Sequence, residues 1–443
     1  MIHAFAINGR RLAYDSVNGS LAAPDETAYE ILKLYEETGF LNRDGLIERL
    51  NGKFSAENII EAYSEVEMFL AKSGASAQPD LEQTKKAVNE RKPAVKALCL
   101  HAAHACNMRC AYCFAGQGTF SGSEAYMSTE TGRRAVDFLI ENSAGKKNLE
   151  IDFFGGEPTL NFKVIKEVVT YAKSLERERG KNFRFTLTTN GLLVDEEIIL
   201  FADEFIDNIV LSLDGRKEVN DRMRGAGTYD AALPGIKKAA ESRGNKKYYI
   251  RGTYTRHNLD FCADVLHLAD LGFKNISVEP VVAPLTEPYS IRVCDLPAIC
   301  IEYEKLADKI IKNKDINFFH FNVDLDGGPC VIKRSTGCGA GTEYFSVVPN
   351  GGLYPCHQFA DDKKFRMGDV SAGINAHEIR SGFLRCNVFN KPACEKCWAK
   401  RFCGGGCAAN AYHMHGDILQ PDEIGCELQK KRVECALYIK SYS

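Results

Sequence analysis

The 443-residue chain predicts an α/β protein: a partial barrel of six parallel strands, preceded by a small module and followed by a Cys-rich domain. Three observations predict this. Between residues 96 and 290, six strand-like runs alternate with helical stretches, which implies parallel strands joined by right-handed crossovers. Residues 1–78 hold short β-like runs followed by three amphipathic helical runs. After residue 325 the texture turns Gly- and Cys-rich with little periodicity.

In the first unit, β-like runs near 2–7, 10–15 and 19–23 are punctuated by Asn8-Gly9 and Asn18-Gly19, both hairpin signals. Helical periodicity follows near 26–38, 44–51 and 56–72, with Leu46, Ile47 and Leu50 on the second run and Ile59, Ile60, Tyr63 and Val66 on the third. Three strands and three helices of this size predict a winged-helix-like unit, without the basic recognition helix of a DNA reader. The polar stretch 79–95, with Pro79 and Pro93, predicts a linker. The strand candidates are Val95–His101, Leu149–Phe154, Phe183–Thr189, Asn208–Leu213, Tyr248–Thr255 and Asn275–Val281. Six units leave a barrel open on one side to a large substrate, with its chemistry at the C-terminal strand ends. Residues 291–325 predict a bridging segment, with a helix near 296–313 and a strand-like run at 317–323. Residues 326–443 predict a separate domain stapled by metal.

Composition narrows the function. A net charge of −3 offers no global basic field for nucleic acid. No apolar run approaches the length of a membrane span, and Met1-Ile2-His3-Ala4-Phe5 does not open a secretory signal, so a cytoplasmic location is expected. In that compartment the 17 cysteines are not expected to form disulfides, and most are expected to be metal ligands. Cys99, Cys262, Cys294, Cys300, Cys386 and Cys435 stand alone and are expected to be small core residues.

Cys106, Cys110 and Cys113 are separated by three and two residues, and Phe114 follows the last. Three thiolates can hold three corners of a [4Fe–4S] cube and leave one iron open, where a ferredoxin supplies four. This triplet resembles the signature of the radical SAM enzymes, in which the open iron chelates S-adenosylmethionine (SAM). Gly155-Gly156-Glu157-Pro158 closes the second strand and resembles that family's GGEP motif. Its glycines let backbone approach a ligand, and Glu157 or adjacent carbonyls can accept from the SAM amino group. Thr188-Thr189-Asn190-Gly191 ends the third strand and Ser212-Leu213-Asp214-Gly215 the fourth. The resemblance implies that Ser212, with Arg224 twelve residues later, binds the SAM ribose and carboxylate, a task suited to the planar guanidinium. It also implies that Phe114 and Val282 flank the adenine.

The C-terminal cysteines are ordered too. Gly351 follows Cys338 after twelve residues and Cys356 comes after four more; Cys394, Cys397, Cys403 and Cys407 are then separated by two, five and three, and Cys426 comes last. Alone, this segment suits zinc as well as iron–sulfur; behind the triplet, iron–sulfur is favoured. The pattern resembles the SPASM domain, which implies two auxiliary [4Fe–4S] clusters and three in all. Auxiliary cluster I would use Cys338, Cys356 and Cys407, with Cys330 as a fourth ligand or that corner open to a substrate thiolate. Auxiliary cluster II would use Cys394, Cys397, Cys403 and Cys426.

The opening pentapeptide, Gly327-Gly328-Pro329-Cys330, Tyr354-Pro355-Cys356-His357-Gln358-Phe359 and Cys407-Ala408-Ala409-Asn410 resemble the maturases of SCIFF peptides, in the thioether-forming ranthipeptide class. That implies a cytoplasmic enzyme that cleaves SAM reductively to a 5′-deoxyadenosyl radical and forms cysteine-sulfur-to-carbon crosslinks in a ribosomally made, Cys-rich precursor peptide. The N-terminal module would capture the leader as an added strand, and a flavodoxin- or ferredoxin-type protein would supply electrons. His357, Glu279 and Asp214 are candidate bases by position. Two alternatives stand beside this reading. A sulfatase maturase would form formylglycine, but such enzymes place Asp where His357 stands and lack the N-terminal module. A non-catalytic peptide-binding metal scaffold would use the N-terminal module alone.

Overall fold

The computed structural model describes residues 1–39, 42–74, 81–120, 122–244, 246–325, 331–360 and 362–442. At its start, β1 (Ile2–Ile7) and β2 (Arg10–Asp15) pair antiparallel, and β3 (Leu21–Ala22) adds to β2. Asn8 and Gly9 turn the hairpin with φ of 49° and 80°, the left-handed pair that a two-residue turn requires. Alternation gives the hairpin two buried faces. Ile2, Ala4 and Ala13 pack under α1 (Glu26–Thr38), α2 (Arg43–Leu50) and α3 (Ala56–Gly74), whereas Phe5, Ile7, Leu12 and Tyr14 join the main core. Asp25 caps α1 by accepting from the Ala28 amide, a contact worth about 1 kcal/mol.

His3 fastens this module to the rest of the chain. Its ring lies 4.0 Å from that of Trp398, Nδ1 is 2.8 Å from Glu36 Oε1 and Nε2 is 2.9 Å from Glu434 Oε1. Burial alone would push His3 down, but the hydrogen bonds to Glu36 and Glu434 outweigh it and raise its pKa. The charged clamp therefore contributes fully below about pH 6.5 and fades as pH rises through the raised value. Each charge-assisted bond is worth about 1.5–3 kcal/mol. Thermal melts of wild type and His3→Gln should differ widely at acid pH and converge at alkaline pH; a gap independent of pH would refute the clamp.

Part of the stretch expected as a linker is helical. In α4 (Leu81–Asn89), Val88 is buried and Asn89 Oδ1 accepts from the side-chain amides of Asn387 and Asn390 at 3.0 and 2.8 Å. These partners lie some 300 residues away, so composition does not reveal them.

Six parallel strands follow with helices between them: β4 (Ala97–His104), a short antiparallel β5 (Ala125–Tyr126), α5 (Thr129–Asn142), β6 (Asn148–Gly155), α6 (Phe162–Arg179) and β7 (Asn182–Thr189). They continue with α7 (Glu196–Phe205), β8 (Asn208–Ser212), α8 (Lys217–Arg224), α9 (Thr228–Ser242), β9 (Lys247–Tyr254), α10 (Phe261–Asp270) and β10 (Asn275–Pro280). The order β4-β6-β7-β8-β9-β10 is sequential, every neighbour is parallel, and the six strands are those expected, with ends shifted by three residues or fewer. Phe153, Phe183 and Phe185 are fully buried with stacked rings 6.1 and 6.2 Å apart. Each contributes about 1.5–3 kcal/mol by burial. β4 is buried along its whole length.

The sheet continues past both ends of this series. After α11 (Leu296–Lys312), β11 (Asn317–Phe318) pairs parallel with β10. The strand-like run expected to 323 stops there because Phe319–Phe321 coils into a 3-10 turn. After α12 (Val331–Thr336), β12 (Tyr344–Val347) pairs parallel with β4, and β13 (Gly352–Tyr354), β14 (Gly368–Asp369) and β15 (Gly373–Ile374) follow antiparallel. The barrel sheet thus runs on into the Cys-rich segment, where Phe345, Val347 and Leu353 are fully buried in the main core. Short helices α13 (His377–Arg385), α14 (Pro392–Glu395), α15 (Lys400–Cys403) and α16 (Ala408–His415) lead to α17 (Glu423–Lys440), which lies along α11. Among the described residues no helix is long and apolar enough to cross a membrane.

Candidate active site

Strand alternation builds the site. In β6 to β10 one side-chain set is sealed under the helices and the other faces inward. At the C-terminal strand ends the inward set includes Phe154, Thr188, Ser212, Arg251, Thr253 and Glu279, which line a cavity of about 240 Å³. Cys106, Cys110 and Cys113, on the loop after β4, line the same cavity, as do Phe114, Gly155, Gly156, Glu157, Arg224, Val282 and His357. The residues expected around the first cluster and SAM therefore share one space.

Two glycines let the loops meet. A Cβ on Gly155 would stand 2.2 Å from the Ala103 carbonyl oxygen, and one on Gly156 2.1 Å from that of Ala105. The Gly156 and Glu157 amides donate to those same carbonyls, both at 2.8 Å. The Glu157 side chain is buried and engaged. Oε1 accepts from Thr159 N and Oγ1 at 3.1 and 2.6 Å and from Thr189 Oγ1 at 2.8 Å, while Oε2 accepts from Asn190 N at 2.7 Å. Of the two acceptors expected for the SAM amino group, the carboxylate is committed to these donors and the backbone carbonyls are left.

Asn190, named from sequence only as part of the run ending the third strand, donates from Nδ2 to Asn107 Oδ1 at 2.7 Å and approaches Cys106 Sγ at 3.9 Å. Met108 N donates to the same sulfur at 3.4 Å. Burial pushes the Cys110 thiol up to about 11, a setting in which it keeps its proton until a cationic centre displaces it. Three soft sulfur donors on one loop, with amide N–H groups on one of them, suit an iron–sulfur cluster.

Arg224 is buried, with Nη2 donating to Asp214 Oδ1 at 2.8 Å and its guanidinium 5.8 Å from the Tyr112 ring centroid. Its Nε is buried and has no partner among the described residues, an unmet donor of the kind a carboxylate ligand satisfies. Asp214 also accepts from Tyr112 Oη at 2.7 Å and Thr253 N at 2.9 Å. It is a fully buried counter-ion, which removes it from the candidate bases. The other two remain open to the cavity. Burial alone would raise Glu279, but His320 at 3.0 Å, Arg432 at 3.9 Å and Arg251 hold it well below the usual carboxylate range. Burial, with Arg251 adding to it, pushes His357 down to about 4. At neutral pH one is ionised and the other neutral, so each can accept a proton and neither is poised near pH 7.

The C-terminal cysteines lie close enough to feel one another, with Cys386 felt by both Cys394 and Cys407. Cys356, pushed far up by burial, feels Cys407 and Cys338; Cys426, pushed up to about 12, feels Cys403, Cys394 and Cys397. Cys330 lies outside the described residues. Among the described residues no three His, Cys, Asp or Glu side chains converge on a single ion-sized point. Cys99, Cys262 and Cys435 are buried as expected, and Cys300 and Cys386 are half-buried. Cys294 departs from the core expectation: it is exposed on a 3-10 turn, 3.8 Å from Arg256 Nη2.

The missed residues have a common signal. Phe154, Arg251 and Thr253 sit on the inward parity at the ends of strands already recognised. His101 is different: it is buried in β4, with Nδ1 2.8 Å from His104 Nε2 and Nε2 3.1 Å from Ser346 Oγ. That contact depends on β12 and has no local signal.

Residues 102–260 match the Radical SAM superfamily model, which marks this part of the chain as a radical SAM domain. It is 21% identical over 454 residues to the radical SAM cyclopropyl synthase TigE of Paramaledivibacter caminithermalis, covering 94% of this chain and 90% of that one. It is 24% identical to a cysteine-type anaerobic sulfatase-maturating enzyme of Clostridium perfringens, covering 71% and 89%. The fold is similar to that of Streptococcus suis SuiB bound to S-adenosylmethionine, with a TM-score of 0.56, 17% identity and coverage of 96% and 98%. SuiB has also been solved bound to its precursor peptide SuiA, with a TM-score of 0.54 to this chain.

Proposed function

We propose that this enzyme is a maturase forming intramolecular thioethers, cysteine sulfur to carbon, in a ribosomally made Cys-rich precursor peptide. One observation carries the reading. His357 and Gln358, directly after Cys356, line the cavity that Cys106, Cys110 and Cys113 also line. A peptide cysteine held at the Cys338, Cys356 and Cys407 set would thus stand beside the space where the first cluster and SAM would act.

Cys106, Cys110 and Cys113 would hold the SAM-binding cluster. Gly155 and Gly156 carbonyls, Ser212 and Arg224 would hold SAM, with Phe114 and Val282 beside its adenine. Cys338, Cys356 and Cys407 would hold one auxiliary cluster, and Cys394, Cys397, Cys403 and Cys426 another. Bound there, these groups would supply reductive radical generation from SAM, hydrogen abstraction and a sink for one surplus electron. The chain's own part is positioning. Asp214 fixes the Arg224 charge, Phe114 and Phe154 present an apolar wall, and His357 or Glu279 can take the thiol proton. The outer edge of β3 is unpaired among the described strands and suits a leader peptide added as a strand. SuiB, solved with a precursor peptide, supports a peptide substrate. A flavodoxin- or ferredoxin-type donor and a cytoplasmic setting complete the reading.

The formylglycine reading draws on the Clostridium perfringens relative, and His357 at the expected Asp position weighs against it. Co-expression with a short Cys-rich peptide encoded beside the gene separates the two. Thioether formation removes two hydrogens per crosslink and leaves that cysteine unreactive to iodoacetamide. Formylglycine formation from cysteine removes the sulfur, and that outcome would overturn the proposal.

A further inference from the structure

Lys391 is 1% exposed, a burial lysine rarely reaches without a partner for its charge. Its Nζ donates to the Gly405 carbonyl at 2.7 Å and to the sulfur of Cys386. Among the described residues it makes no ion pair with a carboxylate. Cys386 is not the missing anion, because its Sγ donates to the Ile418 carbonyl at 3.3 Å and is therefore a thiol. The Cys394 amide donates to the Lys391 carbonyl at 2.9 Å, the Lys391 side chain packs against Gly405, two residues after Cys403, and both Cys394 and Cys403 feel its charge. Lys430 also faces this cysteine set, but it is paired with Glu427 at 2.7 Å. Lys396 is exposed and Lys400 donates to the Glu395 carbonyl at the surface, where solvent screens both. Lys391 thus brings an unmatched positive charge to a cysteine set inside the protein.

We infer that Lys391 is the internal counter-cation of a four-thiolate iron–sulfur centre on Cys394, Cys397, Cys403 and Cys426, and that it raises that centre's reduction potential. The inference rests on the auxiliary-cluster reading above. Such a centre carries net negative charge that grows by one on reduction. A nearby cation in a low-dielectric interior favours the more negative form, and cluster potentials follow local charge and hydrogen bonding.

The test is an anaerobic redox titration, followed by electron paramagnetic resonance, of full-length reconstituted protein as wild type, Lys391→Met and Lys391→Arg. The expected result is one wave moved to lower potential in Lys391→Met and returned toward wild type in Lys391→Arg, with the other waves unmoved. If Lys391→Met does not fold, Lys391→Gln, which keeps a donor toward Gly405 without the charge, should show the same lowered wave. Full iron content with every wave unmoved overturns the inference alone. Wild-type iron too low to fill the Cys394 set overturns it together with the auxiliary-cluster reading.

Discussion

Replacing Cys106, Cys110 and Cys113 together by alanine should abolish 5′-deoxyadenosine formation and lower bound iron by one cluster. The loop they sit on is held by other contacts. Gly156 and Glu157 donate to the carbonyls of Ala103 and Ala105, and the Ala111 amide donates to Met223 O at 2.7 Å. None of these bonds uses a thiol, so the triple variant should fold with unchanged circular dichroism while losing its chemistry. Liquid chromatography of SAM products under dithionite measures the effect directly. SAM cleavage that survived in the triple variant would remove the basis for assigning the cluster to this loop.

A single methyl group at residue 156 should be almost as damaging. In Gly156→Ala the new carbon would lie 2.1 Å from Ala105 O, 2.6 Å from Ala105 C and 3.0 Å from Gly118 Cα. All three are backbone atoms, so no side chain can rotate away and the cysteine loop itself must move. A displacement near 1 Å at a reacting centre costs about a hundred-fold in rate. SAM turnover should fall by that order while the protein stays folded. Gly145→Ala is the matched control, since a Cβ there meets nothing within 4 Å. Equal activity in the two variants would show that the close approach at Gly156 is not needed for positioning.

Much of this arrangement was legible from sequence, and the reasons differ by element. The six parallel strands carry local signals: alternation within each run, helices of suitable length between them, and Gly-containing turns at their ends. The Cys106 triplet is legible because its ligands are neighbours in sequence. The division of the C-terminal cysteines into two sets came only through resemblance, since spacing does not show that Cys407 feels Cys338 although Cys394, Cys397 and Cys403 lie closer along the chain. What local pattern could not carry was pairing across long separations. The β12 register against β4, the Asn89 contacts of α4 and the His101 to Ser346 hydrogen bond each join residues about 245 to 300 positions apart. Asp214 looked like a free acid by position. The three donors to its carboxylate, Tyr112, Arg224 and Thr253, come from separate segments, and only the assembled barrel shows it buried beneath Arg224.

The pairing of β4 with β12 has a consequence for how the chain is made. β4 gains its first parallel neighbour, β6, soon after it leaves the ribosome, but its other edge waits for Tyr344–Val347, some 240 residues later. At ordinary synthesis rates that delay is roughly 12 to 50 seconds. Throughout it, an apolar strand bearing Leu98 and Leu100 presents an unpaired edge, the template on which chains join one another. Nascent chains stalled before residue 344 should therefore be held by chaperones or aggregate, and yield of the protein should depend on elongation speed through its last hundred residues.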